Sequence, residues 1–329
     1  MKKNEKIIII GAGLSGLTLG YLLSKENADV TILEASNRIG GRIQTIKGNL
    51  GTPLELGATW FSDLHVNLLS LLEELGLHKY PQFSEGTSLF QTKSFEPPQK
   101  FFVPKSEAPS YRLENGTQTL TDILAQKLGT KNILLNERVV EIIDHNNSLV
   151  VNTSKGNSFA ADKVILCLPP QLASQIRFLP ELIDPVTEIL PTVQTWMAGA
   201  IKFVLEYDEP FWRNEGYSGM LYSHAGIIIE MYDHTNFKED KFGFTGFLNG
   251  GAVAYQRDVR KEFVLKQLSE LLGEKTLNPR FYEDKIWNDE YLIAGNPVIH
   301  RPHQNNGHHL LQESYMNGKL FFCGTETSE

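Results

Sequence analysis

Four consecutive isoleucines, Ile7 to Ile10, run straight into Gly11-Ala12-Gly13-Leu14-Ser15-Gly16, and this junction constrains the fold more than any other stretch of the chain. An apolar β-branched run reads as a parallel strand covered on both faces. Lys6 to Ile10 is therefore expected as a strand, Leu14 to Lys25 as a helix and Asp29 to Glu34 as a second strand, closing a β-α-β unit. Each glycine has a job in that geometry. Gly11 permits the tight turn, Gly13 lets the backbone come close to a bound group, and Gly16 lets helix and strand pack tightly.

Amides at the start of such a helix hold phosphates. Glu34, at the end of the second strand, is placed to accept hydrogen bonds from a ribose 2′-hydroxyl and to repel a 2′-phosphate, so the unit is expected to bind a dinucleotide other than NADP. NAD and FAD both remain open on this motif. The uncharged run from Ile7 to Leu23, preceded by Lys2 and Lys3, also admits a signal peptide or membrane anchor. Its four glycines, the Glu5-Lys6 pair before it, its division into strand and helix, and the lack of a small-residue cleavage site argue against that. A cytoplasmic location, with no membrane partner, is the expectation.

At 329 residues the chain exceeds one typical domain, so two are expected. Leu64 to Leu75 has helical apolar spacing stopped by Gly76, Lys79 to Ser110 reads as short strands and loops, and Thr117 to Leu128 returns to helix. Asn132 to Asp144 and Ser148 to Thr153 read as strands joined at Asn146-Asn147, followed by a buried strand from Asp162 to Leu168. Beyond Pro191 strands dominate: Ala198 to Tyr207, Tyr217 to Ser223, Ile227 to Tyr232 and Phe242 to Leu248, then a helix from Arg257 to Leu272. The net charge of -8 gives no electrostatic footprint for nucleic acid. Cys167 and Cys323 lie in apolar runs and read as buried, reduced core thiols, which suits a reducing compartment. The nine histidines form no triad or metal motif, His308-His309 reads as loop surface, and no metal site is expected.

Asn37-Arg38-Ile39-Gly40-Gly41-Arg42 follows Glu34 directly. With it the sequence resembles the flavin amine oxidase family, which includes monoamine and polyamine oxidases. In order along the chain, Glu55-Leu56-Gly57-Ala58-Thr59-Trp60, Arg138-Val139-Val140-Glu141-Ile142, Val164 to Pro170 and Phe322-Cys323-Gly324-Thr325-Glu326-Thr327 continue the resemblance. It implies FAD as cofactor. The residues it sets around FAD are Gly11, Gly13, Leu14, Ser15, Gly16, Glu34, Ala35, Gly41, Arg42, Gly57, Ala58, Thr59, Trp60, Val139, Gly324 and Glu326. In that set Arg42 lies near the pyrophosphate, the backbone at Val139 meets adenine, and Gly324 and Glu326 lie by the ribityl-pyrophosphate region. Lys202 interrupts the apolar stretch Gly199 to Leu205, where related oxidases place a lysine that holds a water near flavin N5; it is the expected catalytic residue. Trp196, Phe211, Trp212, Trp287 and Tyr291 offer aromatic surface for an amine or serve as core.

The expected architecture is α/β: a Rossmann-like FAD-binding domain from the discontinuous segments 1–78, 112–178 and 290–329, with a mixed-sheet substrate domain from 79–111 and 179–289, and the active site where the two meet. The resemblance implies oxidation of a small-molecule amine, with oxygen as acceptor and hydrogen peroxide as product. A related FAD-dependent desaturase or protoporphyrinogen-oxidase-like enzyme, or a catalytically silent FAD-binding protein, is the alternative.

Three departures from the family pattern stand out. No cysteine lies near Ala294-Gly295-Asn296-Pro297 to tether the flavin, so FAD is expected to be noncovalent. The stretch leading to Arg112-Leu113-Glu114-Asn115-Gly116 is short, which predicts a more open substrate cavity. The sequence ends at Glu329, where family members continue into a helix facing the flavin pyrimidine ring, and the lack of that helix is expected to weaken FAD binding or catalysis.

Overall fold

The computed structural model describes residues 5–288 and 303–328. The chain divides into two compact units, the first from Met1–Arg42, Thr121–Gly199 and Asn288–Glu329, the second from Ile43–Leu120 and Ala200–Trp287.

The first unit is built on a six-stranded sheet in the order Ser314–Tyr315, Leu320–Phe322, Lys163–Leu166, Lys6–Ile10, Asp29–Leu33, Ile133–Leu134. All neighbours but the first pair run parallel. The isoleucine strand lies in its middle, with Ile9 wholly buried, as its apolar run requires. Each such side chain contributes roughly 1.5–3 kcal/mol of burial. The uncharged run Ile7 to Leu23 is thus this strand and the helix Leu14–Lys25. Among the described residues no helix is long and apolar enough to cross a membrane.

A second sheet of this unit, ordered Ser158–Ala161, Leu149–Thr153, Val139–Asp144, Arg177–Leu179, shares a core with the first through Ile142, Val151, Val164, Leu166 and Leu320. Here the sequence reading needs correction. The single strand expected from Asn132 to Asp144 is two, Ile133–Leu134 in the large sheet and Val139–Asp144 in the small one. The break is at Asn136, which takes a left-handed φ of 58° and donates its amide to Ser36. Asparagine tolerates that conformation well.

The second unit is a seven-stranded sheet: Phe281–Ile286, Ile201–Tyr207, Phe242–Leu248, Ile228–Asp233, Tyr217–Ser223, Gly86–Gln91 and Gln99–Val103. One face is apolar, carrying Ile201, Phe203, Leu205, Phe244 and Met231 against Val264, Leu268 and Leu272 of the helix Arg257–Leu272. The opposite face carries Lys202, Val204 and Glu206, and Val204 packs on Leu54 and Leu56 of a short hairpin.

That hairpin explains where the compact units part from the expected domain limits. Segment 43–78 packs with the second unit, because Leu54 and Leu56 meet Val204 while Leu50 and Thr52 donate their amides to the buried Glu206 carboxylate. Residues 112–120 go with it and 179–199 go with the first unit, since Val186, Leu190 and Val193 join the first unit's core.

Candidate active site

The turn Gly11 to Gly16 is as tight as its glycines allow. Gly11 has φ +108° and a Cβ there would lie 2.5 Å from the Cys167 carbonyl oxygen, while a Cβ on Gly16 would lie 2.0 Å from the Gly11 oxygen. Gly13 is the N-cap of the helix beginning at Leu14 and Ser15, and no side chain caps its first amides. Gly41, with φ +55°, comes so near Gly13 that an added Cβ would sit 3.2 Å from the Gly13 Cα. The Gly40-Gly41 turn and the first glycine loop are therefore one surface, with Gly40 donating to Ala12. Arg38 braces it through the carbonyls of Ile39 and Gly41.

Glu34 is buried, and its carboxylate takes the Ala12 amide at 2.7 Å and the Ser36 amide at 2.9 Å. It therefore shapes the glycine loop as well as facing the cleft beside it. That cleft is bounded by Gly11, Glu34, Ala35, Arg138, Val139 and Leu172. Uncapped amides at the helix start, with a carboxylate that has acceptor capacity left and an apolar wall at Val139 in the cleft, fit a nucleotide that presents phosphates, a ribose diol and a flat base. The structure thus brings Gly11, Glu34, Ala35 and Val139 into one cleft.

Arg42 and Glu326 were separate candidates and are partners. The guanidinium donates to both carboxylate oxygens, at 2.6 and 3.1 Å, with Glu326 buried and Arg42 partly exposed. Gly324 opens the short turn that holds Glu326, its amide bonded to Thr327 Oγ1 at 3.1 Å. The two cysteines also pair. Leu166 lies beside Phe322 in parallel strands, so Cys167 and Cys323 follow side by side and their thiols interact. That interaction and burial push Cys167 up, and the same interaction brings Cys323 down to about 7. Both cysteines are free, Cys167 buried and Cys323 partly exposed, so the expected burial holds for Cys167 alone.

In the second unit, Lys202 is buried rather than facing solvent. Its ammonium donates to the Gly57 carbonyl at 2.7 Å and to Thr59 Oγ1, and lies over the Trp60 and Phe247 rings at 4.8 and 5.5 Å. Gly57, Thr59 and Trp60 thus meet Lys202, whereas Ala58 is exposed. Burial draws the Lys202 pKa down to about 7, opposed by the Glu55 carboxylate. Glu55 in turn is raised by burial, opposed by the Thr117 amide at 2.5 Å and by Lys202. His234 accepts the Glu55 amide through Nε2 at 3.2 Å, and burial holds it well below its usual range, so it is neutral.

Glu55, His234 and the buried Arg112, which donates to the Thr235 carbonyl, were not singled out from sequence. For Glu55 and Arg112, a charge within a short strand was the available signal. Phe211 and Trp212 are core, and Trp287 is buried with its indole on the Leu56 carbonyl. Trp196 is exposed and stacks on His303. Tyr291 and Ala294 to Pro297 lie outside the described residues. Among those described, no cluster of His, Cys, Asp and Glu could hold a metal.

The model of the flavin containing amine oxidoreductase family matches residues 14–97 and 90–329. The chain belongs to that family. Its cofactor is accordingly FAD, bound noncovalently, and it is an FAD-dependent amine oxidase-like oxidoreductase. Among similar proteins, "Probable flavin-containing monoamine oxidase A" of Dictyostelium discoideum is 24% identical, covering 98% of this chain and 92% of that one. Putrescine oxidase of Kocuria rosea is 23% identical over 88% of this chain and 83% of its own. The solved structure of wild-type putrescine oxidase bound to putrescine superposes with a TM-score of 0.83 at 21% identity, covering 98% of this chain and 94% of that one. The α/β flavoenzyme fold expected from sequence is the fold observed.

Proposed function

We propose that this enzyme oxidises a primary or secondary amine at the carbon beside nitrogen, with Lys202 as its catalytic residue. Bound FAD would supply the two-electron acceptor: the amine loses a hydride and a proton, the resulting imine takes up water to release carbonyl product with ammonia from a primary amine or an amine from a secondary one, and oxygen takes the two electrons and two protons as hydrogen peroxide. In this reading the first unit holds the cofactor, the glycine loop and the helix start at Leu14-Ser15 taking the pyrophosphate, with Glu34 and Val139 on the adenosine half. Arg42, held by Glu326, turns its exposed edge to phosphate.

The observation that carries the catalytic assignment is the buried ammonium of Lys202, fixed by Gly57 and Thr59 and walled by Trp60 and Phe247. A lysine so desolvated loses and regains a proton near neutrality, which suits it to hold a water and pass protons. The test is anaerobic mixing of the FAD-loaded enzyme with a panel of amines while flavin absorbance is followed. Bleaching by an amine, with peroxide released on admitting air, is the expected result. Bleaching by none, or by polycyclic or polyene substrates alone, refutes amine oxidation.

A further inference from the structure

The chain's two cysteines are far apart in sequence and side by side in the first unit's six-stranded sheet. Leu166 and Phe322 pair in parallel register, and the next residue of each strand is the cysteine. The ladder runs on through them: Cys323 donates its amide to the Leu166 carbonyl at 2.9 Å, and Cys167 donates its own to the Ile10 carbonyl at 2.8 Å. Side chains along a strand alternate between faces, so two cysteines that each stand one step beyond a paired residue turn to the same face. Their Cα atoms lie one strand spacing apart, about 4.8 Å, inside the range of roughly 4.4–6.8 Å that a disulfide bridges. Both thiols are free, Cys167 buried and Cys323 partly exposed.

The pair sits against the glycine loop. A Cβ on Gly16 would stand 3.3 Å from the Cys167 Cβ, and one on Gly11 would stand 2.5 Å from the Cys167 carbonyl oxygen. Cys323 leads directly into Gly324, whose turn carries Glu326 to Arg42. A bond between the two sulfurs therefore ties the strand beneath the loop to the strand that delivers the partner of Arg42. The two thiols differ in readiness to react. Cys323 is the more exposed, and its interaction with Cys167 leaves it partly thiolate at neutral pH.

We propose that Cys167 and Cys323 form a reversible disulfide on meeting a peroxide, with Cys323 as the attacking thiol and Cys167 as the resolving thiol. The Cys323 sulfur attacks one peroxide oxygen, the O–O bond breaks, and hydroxide leaves and is protonated to water, which makes Cys323 a sulfenic acid. The Cys167 sulfur then attacks the Cys323 sulfur, the S–O bond breaks, and a second water leaves with the Cys167 proton. Two thiols and hydrogen peroxide thus give one disulfide and two waters, the sulfurs supplying the two electrons. Hydrogen peroxide is also the product of the proposed amine oxidation, but the pair's chemistry stands apart from that reading, because the peroxide is added in the test.

The FAD-loaded protein, and separately the apoprotein, is treated with hydrogen peroxide, quenched with iodoacetamide without reductant, digested and mapped by mass spectrometry. A Cys167–Cys323 cross-linked peptide that disappears with dithiothreitol is the expected result. In Cys167→Ser, Cys323 should stop at the sulfenic acid and take up dimedone; in Cys323→Ser, Cys167 should react about tenfold more slowly than Cys323 does. No cross-link in either form of the wild type overturns the proposal whether or not the variants fold, and so does a disulfide formed only between chains. Dimedone uptake at Cys167 matching that at Cys323 overturns the order of attack. The oxidised wild type should also melt at a higher temperature than the reduced protein, since the bond restricts the unfolded chain. Equal melting temperatures overturn the tie between the two strands.

Discussion

Replacing Glu34 by alanine separates two roles that the structure gives one carboxylate. An ionised carboxylate offers about four acceptor positions. Two are taken by the Ala12 and Ser36 amides at 2.7 and 2.9 Å, which leaves two for the vicinal hydroxyls of a ribose. A hydrogen bond to a charged partner is worth roughly 1.5–3 kcal/mol, and water regains part of what the ribose loses, so Glu34→Ala should weaken FAD binding by the equivalent of about one such bond, about 1 to 3 kcal/mol or about 5- to 150-fold in Kd. The affinity loss alone does not tell ribose contact from a loosened glycine loop. A double cycle does, pairing the substitution with an FAD analogue that lacks the adenosine 2′-hydroxyl. Against the wild type the analogue should bind roughly tenfold more weakly than FAD; against Glu34→Ala the two should bind within about twofold. Titration of apoprotein followed by flavin fluorescence measures all four constants. If the analogue loses the same factor against both proteins, the coupling is zero and Glu34 only organises the turn.

Gly16→Ala should abolish FAD binding, because its Cβ would stand 2.0 Å from the Gly11 carbonyl oxygen; purified protein that retains the flavin spectrum counts against the tight loop. Iodoacetamide at neutral pH should modify Cys323 in the apoprotein ahead of Cys167, since Cys323 is the more exposed and their interaction lowers its thiol and raises the other; peptide mapping that finds Cys167 first reverses the assignment. Lys202→Met should retain FAD while slowing flavin reduction, reoxidation or both in stopped-flow absorbance. It also has a pH signature. Burial brings the folded pKa to about 7, whereas an unfolded lysine titrates near about 10.4. Between these values the unfolded chain holds the extra proton, so the Lys202 penalty is full below the window and is relieved as pH rises, by roughly 1.4 kcal/mol per unit. The wild type should gain melting temperature relative to Lys202→Met from about pH 7 to about pH 9.5; a constant difference means that Lys202 stays charged.

The first unit was legible because its signals are local. The isoleucine run, the glycine spacing and Glu34 lie within one β-α-β unit, and together they favour one geometric reading. What escaped the sequence was pairing at long range. Arg42 and Glu326 are 284 residues apart, and nothing along the chain states that the two charges meet. The same holds for Cys167 and Cys323, which touch because Leu166 and Phe322 fall in register. Segment 43–78 carries a family-like flavin motif, yet its packing follows Leu54 and Leu56 onto Val204. Apolar contact decided which unit it joined.

Lys202 marks the boundary between the legible and the illegible in the second unit. In the strand Ile201–Tyr207 the charges fall at Lys202 and Glu206, both on even positions, while Ile201, Phe203, Leu205 and Tyr207 enter the core. Period-two alternation therefore separates a working face from a packing face before any coordinates are known. It does not say how the working face is compensated. Glu206 is satisfied by the Leu50 and Thr52 amides of the hairpin, a neutral backbone solution that fixes structure. Lys202 is met instead by one carbonyl, one hydroxyl and the more distant charge of Glu55, which leaves its proton weakly held. Two buried charges on one strand face thus take different solutions. Two backbone amides pin Glu206, and burial without a contacting carboxylate draws the Lys202 pKa to about 7 and keeps it able to titrate, the property that the proposed proton transfer requires.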